Sequence, residues 1–505
     1  MSSHTSYMGL RGHSLRVAQI ATIVVPAFTF FGYNQSGLGP LATLQSFVSV
    51  FPQIDTINTE GGATSTTATR KGAVIASFQV GALLGSLSCL FIGDRLSRRK
   101  GIFIATILTI IGQVLQAASY NLIQFVIGRV VLGFGVGQIS VVVPIWLADH
   151  VLGYALSNWL DLGFYFIRNS TLQWRLPLVV SISLSLLVAA AIFFLPESPR
   201  WLVGAGKVNE AMSNLAALRD LPENDQAIRT EIAQIESAIE GAASHKKASL
   251  MEMFAKDDRE RLLYRFCLCF ALQFFQQACG GTLISVYAST IFEENLGLGT
   301  VVAKVLAASA LTWKFLCSFL SFFAIDRLGR RTVFMISGTG MALSMASLAV
   351  SSSFPSTNYG ASITSAFFIF VFNVFYPFGF LGGNFLYCTE VAPARLRVAM
   401  NSVSTANHWL WNFAVTMVTP VALATIGYRY YIIYAVIAAL IPIVVFFFYP
   451  ETMNRNLELL NSVFEDASSP WEIVTMARKL PQGELVDGDR RDESAKKEFE
   501  EKEMA

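Results

Sequence analysis

Two adjacent amides, Gln276 and Gln277, sit inside an apolar run at 262–292 of this 505-residue chain. An amide held away from water is costly unless something bonds to it. Thr282 and Tyr287 follow within the same run, so the stretch concentrates groups that both donate and accept hydrogen bonds. Such groups either bind a polar solute or bond to a neighbouring helix, the latter worth about 0.6 kcal/mol on average. Lys314 is a second anomaly. It precedes Asp326 by twelve residues on one predicted helix, which places it about 18 Å from that helix's end. A charge at that depth faces a watery cavity or a carboxylate, marking solute selection or a replacement charge partner, unless the register lets the amine reach the outer interface.

A third set of groups lies at the ends of apolar runs. The carboxylates are Asp94, Glu197, Asp326, Glu390 and Glu451, and the guanidinium groups are Arg98, Arg200, Arg330 and Arg397. Forked Arg–carboxylate bonds between them could hold one face of the molecule shut and would have to separate when it opens. The alternative is that these charges only set topology. The six cysteines lie in or beside apolar runs without zinc-ligand partners and are read as packing residues, so no metal is expected. No nucleophile–base set or phosphate-cradling glycine loop occurs in a connector, which argues against an enzyme, and no cofactor is expected.

What positions these groups is a lipid solvent. The chain is 53% hydrophobic and 14% charged, with a mean hydropathy of +0.50, where a soluble domain carries about 25% charge. Apolar runs fall at 15–38, 72–93, 102–120, 123–147, 151–168, 174–195, 262–292, 301–325, 332–353, 361–389, 399–425 and 428–449. Backbone groups in hydrocarbon must bond within their own segment, so the fold class is all-α, a polytopic membrane protein. The first run ends without a small-residue cleavage pattern and is read as a helix, not a removable leader. A polar stretch divides the runs six and six. The expected units are an N-terminal bundle at 1–195, a linker with short helices at 196–260, a C-terminal bundle at 261–449 and a charged, disordered tail at 450–505. Arg95, Arg98, Arg99 and Lys100 in one connector and Arg327, Arg330 and Arg331 in another predict the cytosolic face, with both termini and the linker on it. The loop at 39–71 is then external. A net charge of +2 calls for no nucleic acid.

The halves repeat each other. Gly93 to Arg99 (GDRLSRR) follows the second run and Ile325 to Arg331 (IDRLGRR) follows the eighth, while PESPR at 196–200 closes the sixth and PET at 450–452 closes the twelfth. Parallel halves of this kind place substrate between them near the bilayer midplane and open by rocking.

These motifs, together with Phe31-Gly32-Tyr33-Asn34, Gly128-Arg129, PESPRWL at 196–202, the glutamines of helix seven and Glu390 to Arg397, resemble the sugar porter family of the major facilitator superfamily, especially its fungal branch, over about 430 residues. The resemblance implies a major facilitator fold of two six-helix bundles, a monomer in the bilayer, and a monosaccharide such as a hexose as solute. A hexose exchanges its bonds to water for amide, hydroxyl and indole donors and stacks its apolar faces on rings. In the family's pattern the pair Gln276 and Gln277 contacts sugar, Thr282 stands where an asparagine is common, and Phe385, preceded by Asn384, stands where a tryptophan is usual. Trp409 and Asn412 resemble cavity positions of helix eleven, and His408 between them is read as a core residue. Proton-coupled members carry an aspartate after Phe-Gly-Tyr, paired with the arginine of helix four. Here that position is Asn34, while Arg129 remains. An amide cannot titrate, so facilitated diffusion is expected, unless protons are coupled through another carboxylate such as Asp161 or Asp149. The implied home is the plasma membrane.

One region departs from the family. Between Pro144 and Trp174 some fifteen residues are missing. Helix four is expected to run into Asp149-His150, and Gly153 to Phe164 to form only the outer part of helix five. A carrier damaged by this loss, or a non-transporting sugar receptor, is therefore the competing reading. Asn169-Ser170-Thr171 is a glycosylation sequon on the expected outer side, close to the bilayer.

Overall fold

In a computed structural model, residues 6–56, 58, 63–92, 96–142, 147–167, 170–244, 258, 260–355, 357–393, 396–453, 455 and 457–479 are described. Twelve helices build the bundle: α1 Gly12–Leu41, α2 Ala63–Ile92, α3 Arg98–Ala117, α4 Leu122–Val142, α5 Leu147–Tyr165, α6 Leu172–Ala191, α7 Leu262–Glu293, α8 Thr300–Leu328, α9 Arg330–Ser351, α10 Tyr359–Val391, α11 Arg397–Ile426 and α12 Arg429–Phe448. Among the described residues, eleven helices are long and apolar enough to cross a membrane. The twelfth, α5, carries Asp149, His150, Asn158 and Asp161 within 19 residues, too polar a content for a lipid-facing helix. It lies instead between α1 and α8.

The halves meet chiefly along two helix pairs, with a smaller contact between the end of α1 and α7. α2 packs on α11, and α5 packs on α8. α2, α8 and α11 run for 30, 29 and 30 residues, whereas α5 runs for 19. The main-chain oxygen of His150 lies 1.9 Å from where a Cβ on Gly32 would stand, so only glycine permits this approach. Gly32 is two-thirds of the way along α1, and α5 therefore begins inside the bundle beside it. The expected boundary between helices four and five needs correcting. α4 ends at Val142, and His150 belongs to α5. Four residues, 143–146, join the two and lie outside the described residues. With so few there is no room for both a loop and a longer helix five.

Short helices, Pro199–Gly204, Val208–Arg219 and Gln226–Ser244, follow α6 and pack around Leu202, Leu215 and Ile228. Arg11, next to the start of α1, bonds the carbonyl of Leu221 at 3.0 Å, so the chain's beginning and the linker share the face that bears Arg98 to Lys100, here called the basic face. The tail expected to be disordered from 450 onward is instead helical at Leu457–Asp466 and Pro470–Lys479, which return to that face because Leu460, Val463, Phe464 and Ile473 bury against the bundle, and there Arg265 of α7 holds Asn461 at 2.6 Å. Residues 480–505 lie outside the described residues.

The internal repeat has a physical expression. Glu197, closing α6, accepts from the Arg99 main-chain N–H of α3 at 3.3 Å. Glu451, closing α12, accepts from the N–H groups of Arg330 and Arg331 of α9 at 2.9 and 3.1 Å. In each half a carboxylate thus satisfies the unpaired donors at the start of the third helix and complements its dipole. The equivalent arginines, Arg99 and Arg331, each donate to the carbonyl of a residue near the end of the same half's last helix, Phe193 and Phe446.

Candidate functional site

α7 is broken where the site requires it. Gly280 has φ +100°, a conformation that disfavours a side chain, and a Cβ there would lie 2.3 Å from Cε of Met345. The break follows Gln276 and Gln277 and precedes Thr282, so groups on both sides of it turn toward one space. α10 is interrupted likewise at Leu381–Gly382. Between the halves lies a cavity that both of them line.

Its polar wall is a connected network. Gln277 Nε2 lies 3.0 Å from Nδ1 of His408, and its oxygen accepts from the Thr282 hydroxyl. Gln276 donates to the Phe380 carbonyl at 3.0 Å, and its oxygen lies 2.7 Å from His408 Nδ1. Asn412 lines the cavity and meets Gln79 of the other half at 3.2 Å. Asn412 Nδ2 and Thr405 Oγ1, on two residues of the cavity wall, are buried without a hydrogen-bond partner. The aromatic wall is Phe28, Phe31, Phe385 and Trp409. Trp409 packs on Phe31 at 5.3 Å between ring centroids, and its indole N–H reaches Ser140 Oγ at 3.4 Å.

The expected site residues therefore divide. Gln276, Gln277, Thr282, Phe385, Trp409, Asn412 and Lys314 line one cavity. Asn384 stands behind it, donating to Gln273 and Gln276 at 3.0 and 2.7 Å. Tyr287 is not among the lining residues and donates to the carbonyl of Thr416 at 2.7 Å, bracing α7 against α11. His408 is part of the polar wall as well as of the core. Sequence reasoning missed Gln35, Ser140, His150, Tyr154, Ser285, Tyr376 and Thr405 as lining residues. A signal existed for Gln35, which follows Asn34 in a polar stretch of helix one. For Tyr376 and Thr405 nothing in the linear pattern says which side of a helix faces inward.

Asn34 and Arg129 occupy a separate, smaller pocket with Tyr33, Gln116 and Asp161. Asn34 donates to the Phe30 carbonyl at 2.7 Å, and Arg129 donates to that of Ile75 at 2.8 Å. Asp161 is buried, and neither of its carboxylate oxygens has a hydrogen-bond partner. Lys304 of α8 lies within electrostatic reach of it and bonds Pro40 and Thr43 of the other half at 3.4 Å. The Asp149 side chain and Asn169 lie outside the described residues.

At the basic face, Arg330 pairs with Asp326 at 3.2 Å and with Glu390 at 2.9 Å, both in the C-terminal half. With Glu197 and Glu451 over their own helix starts, the described carboxylate bonds stay within a half. Each of these terminal carboxylates meets the free N–H groups at the start of the third helix of its own half. Arg397 lies within electrostatic reach of Arg200, a like charge. Asp94 lies outside the described residues.

The sequence profile of the family described as "Sugar (and other) transporter" matches residues 20–150 and again 149–464. The chain belongs to this family of sugar transporters. It is a multi-pass membrane carrier of the major facilitator type. Its similarity to "Sugar transporter STL1" of Saccharomyces cerevisiae is 32% identity over 98% of this chain and 91% of that protein. The "Low-affinity glucose transporter HXT3" of the same organism is 27% identical over 83% and 78%. Among solved structures, the proton:xylose symporter XylE bound to 6-bromo-6-deoxy-D-glucose superposes with a TM-score of 0.75 at 21% identity, covering 90% of this chain and 99% of that one. An inward open form of XylE from E. coli gives 0.68 at 21% identity, covering 89% and 99%. These likenesses establish the fold. The two matched stretches overlap at 149–150, in the first turn of α5 and just after its four-residue connection to α4.

Proposed function

We propose that this transporter moves a monosaccharide of hexose type by alternating access and downhill, with both termini in the cytosol and the plasma membrane as its home. The observation that carries the reading is the single cavity into which Gln276, Gln277, Thr282 and Asn412 converge opposite the rings of Phe385 and Trp409. Amides and hydroxyls can replace the water around sugar hydroxyls, and the rings can take the sugar's apolar faces. Downhill movement is supported by Asn34, which cannot exchange a proton. Uptake of labelled hexose into a transporter-deficient yeast, with and without a protonophore, tests this. Saturable uptake indifferent to the protonophore is expected, and absence of uptake of any sugar would favour the receptor or damaged-carrier reading that the short α5 motivates.

Proton-coupled symport is the second reading, favoured by one observation: the buried, unbonded carboxylate of Asp161 shares a pocket with Arg129. On that reading uptake collapses with the protonophore, and Asp161→Asn abolishes accumulation against a gradient while leaving exchange of sugar across the membrane. At the basic face we propose that Asp326, Arg330, Glu390 and Glu451, with Glu197, Arg200, Arg397, Arg98 and Asp94, form a latch that loosens as that face opens.

A further inference from the structure

We propose that the cavity selects a solute bearing one negative charge in addition to its hydroxyls, a polyhydroxy carboxylate such as a hexonate or a hexuronate, and that Lys314 is the residue that selects it. The inference rests on the reading of the cavity as a carrier's solute site.

Lys314 is buried on α8, and its chain runs into the cavity wall. Its Nζ lies 2.6 Å from Ser285 Oγ, 4.4 Å from the ring centroid of Tyr376 and 5.2 Å from that of Tyr154. A hydroxyl and two ring faces solvate an ammonium group in part, but none of them neutralises it. The other ionisable groups among the described lining residues are His150 on α5, His408 on α11, and the two tyrosines, and Cys279 on α7 also lies within electrostatic reach. No carboxylate is among the described residues that line this cavity. Asp161, the buried carboxylate of α5, belongs to the separate pocket of Arg129. A cation buried without a counter-charge is costly, and a solute that brings the counter-charge removes that cost on binding.

The rest of the wall fixes what else the solute must carry. Gln276, Gln277, Asn412 and Thr405 offer several donors and acceptors, which suits a polyol chain or ring and not a simple carboxylic acid. One lysine balances one charge. A sugar phosphate carries about 1.5 to 2 negative charges and three strong acceptor oxygens, and no arginine is among the described residues that line the cavity. A carboxylate fits the single amine better.

The test uses the full chain purified into liposomes, with counterflow of labelled D-gluconate, D-glucuronate and D-glucose compared in the same preparation. The expected result is trans-stimulated uptake of at least one of the two acids, preferred over glucose, and competition by that acid for the common site. Lys314→Met is expected to shift the ratio of acid to glucose transport by at least tenfold toward glucose, whereas Lys314→Arg, which keeps the charge, retains the acid preference. Glucose transported with neither acid transported nor competing would overturn this inference and leave the carrier standing. A Lys314→Met ratio equal to that of the unaltered protein would also overturn it, showing the amine to be a neutral packing group. No counterflow of any of the three would overturn the carrier reading itself.

Discussion

Gln277 is held by two groups at once, His408 on α11 and Thr282 across the α7 break. Replacing it with leucine keeps the volume roughly and leaves His408 its bond to Gln276 but strands the Thr282 hydroxyl, and a stranded buried group costs about 1–3 kcal/mol. Transport of the preferred solute by Gln277→Leu is therefore expected to fall by about 5- to 150-fold, measured as initial uptake normalised to protein in the membrane. Asn384→Leu, one layer back from the cavity, strands the Gln273 oxygen while Gln276 keeps His408, and is expected to reduce transport less because the bonds lost lie behind the cavity wall. At this scale the sequence was informative wherever a polar group interrupts an apolar run. Gln276, Gln277, Asn412 and Lys314 stand out for that reason, and all four line the cavity. It was uninformative for Tyr376 and Ser140, because tyrosine and serine are ordinary on any face of a membrane helix. Tyr287 and Asn384 were legible as polar and buried, but whether such a group meets solute or braces a neighbour depends on its rotation about the helix axis.

Breaks and ends of helices carry the account at the next scale. Gly280→Ala must place a side chain at φ +100° and against Met345, costing about 1–3 kcal/mol in backbone strain alone. A lowered unfolding midpoint of the purified protein in detergent is expected, and Met345→Ala combined with it should restore the contact part of the loss and not the strain. Glu451→Gln leaves a hydrogen-bonding group over the start of α9 but removes the charge that complements its dipole. The expected loss is about 0.3–1 kcal/mol, seen as a small fall in the same midpoint and lessened at high salt. Most helices were legible because their apolar runs and basic connectors coincide with their ends. The α4–α5 junction was not. Residues 141–148 read Val-Val-Val-Pro-Ile-Trp-Leu-Ala, with no polar residue to mark where one helix stops, so hydropathy carried helix four on to 147.

For the whole molecule, the two principal helix pairs between the halves are unequal. α2 meets α11 over long helices, while α5 meets α8 through a helix that starts beside Gly32. Rocking of the halves loads both contacts, and the shorter one has less surface with which to guide the motion. Inserting about fifteen residues ahead of His150, so as to lengthen α5 toward the basic face, is expected to raise the maximal rate of transport more than the apparent affinity, because the cavity residues stay where they are. Equal rates with and without the insertion, at equal amounts of folded protein, would show the short helix to be sufficient. The twofold plan of the chain was legible from the repeated DRLSRR and DRLGRR connectors and from PES and PET. The closure of the bundle was not, since which carboxylate caps which helix is decided in three dimensions.

The claim on which the account depends is that solute crosses through the cavity formed at the break of α7. Trans-stimulated counterflow in liposomes, run on the unaltered chain and on the double variant Gln276→Leu/Gln277→Leu with matched elution as folded monomer, tests it most directly. The account predicts saturable counterflow for the unaltered chain and a loss of at least tenfold in the variant. Counterflow of equal rate and affinity in the two would contradict it and would move the pathway away from α7.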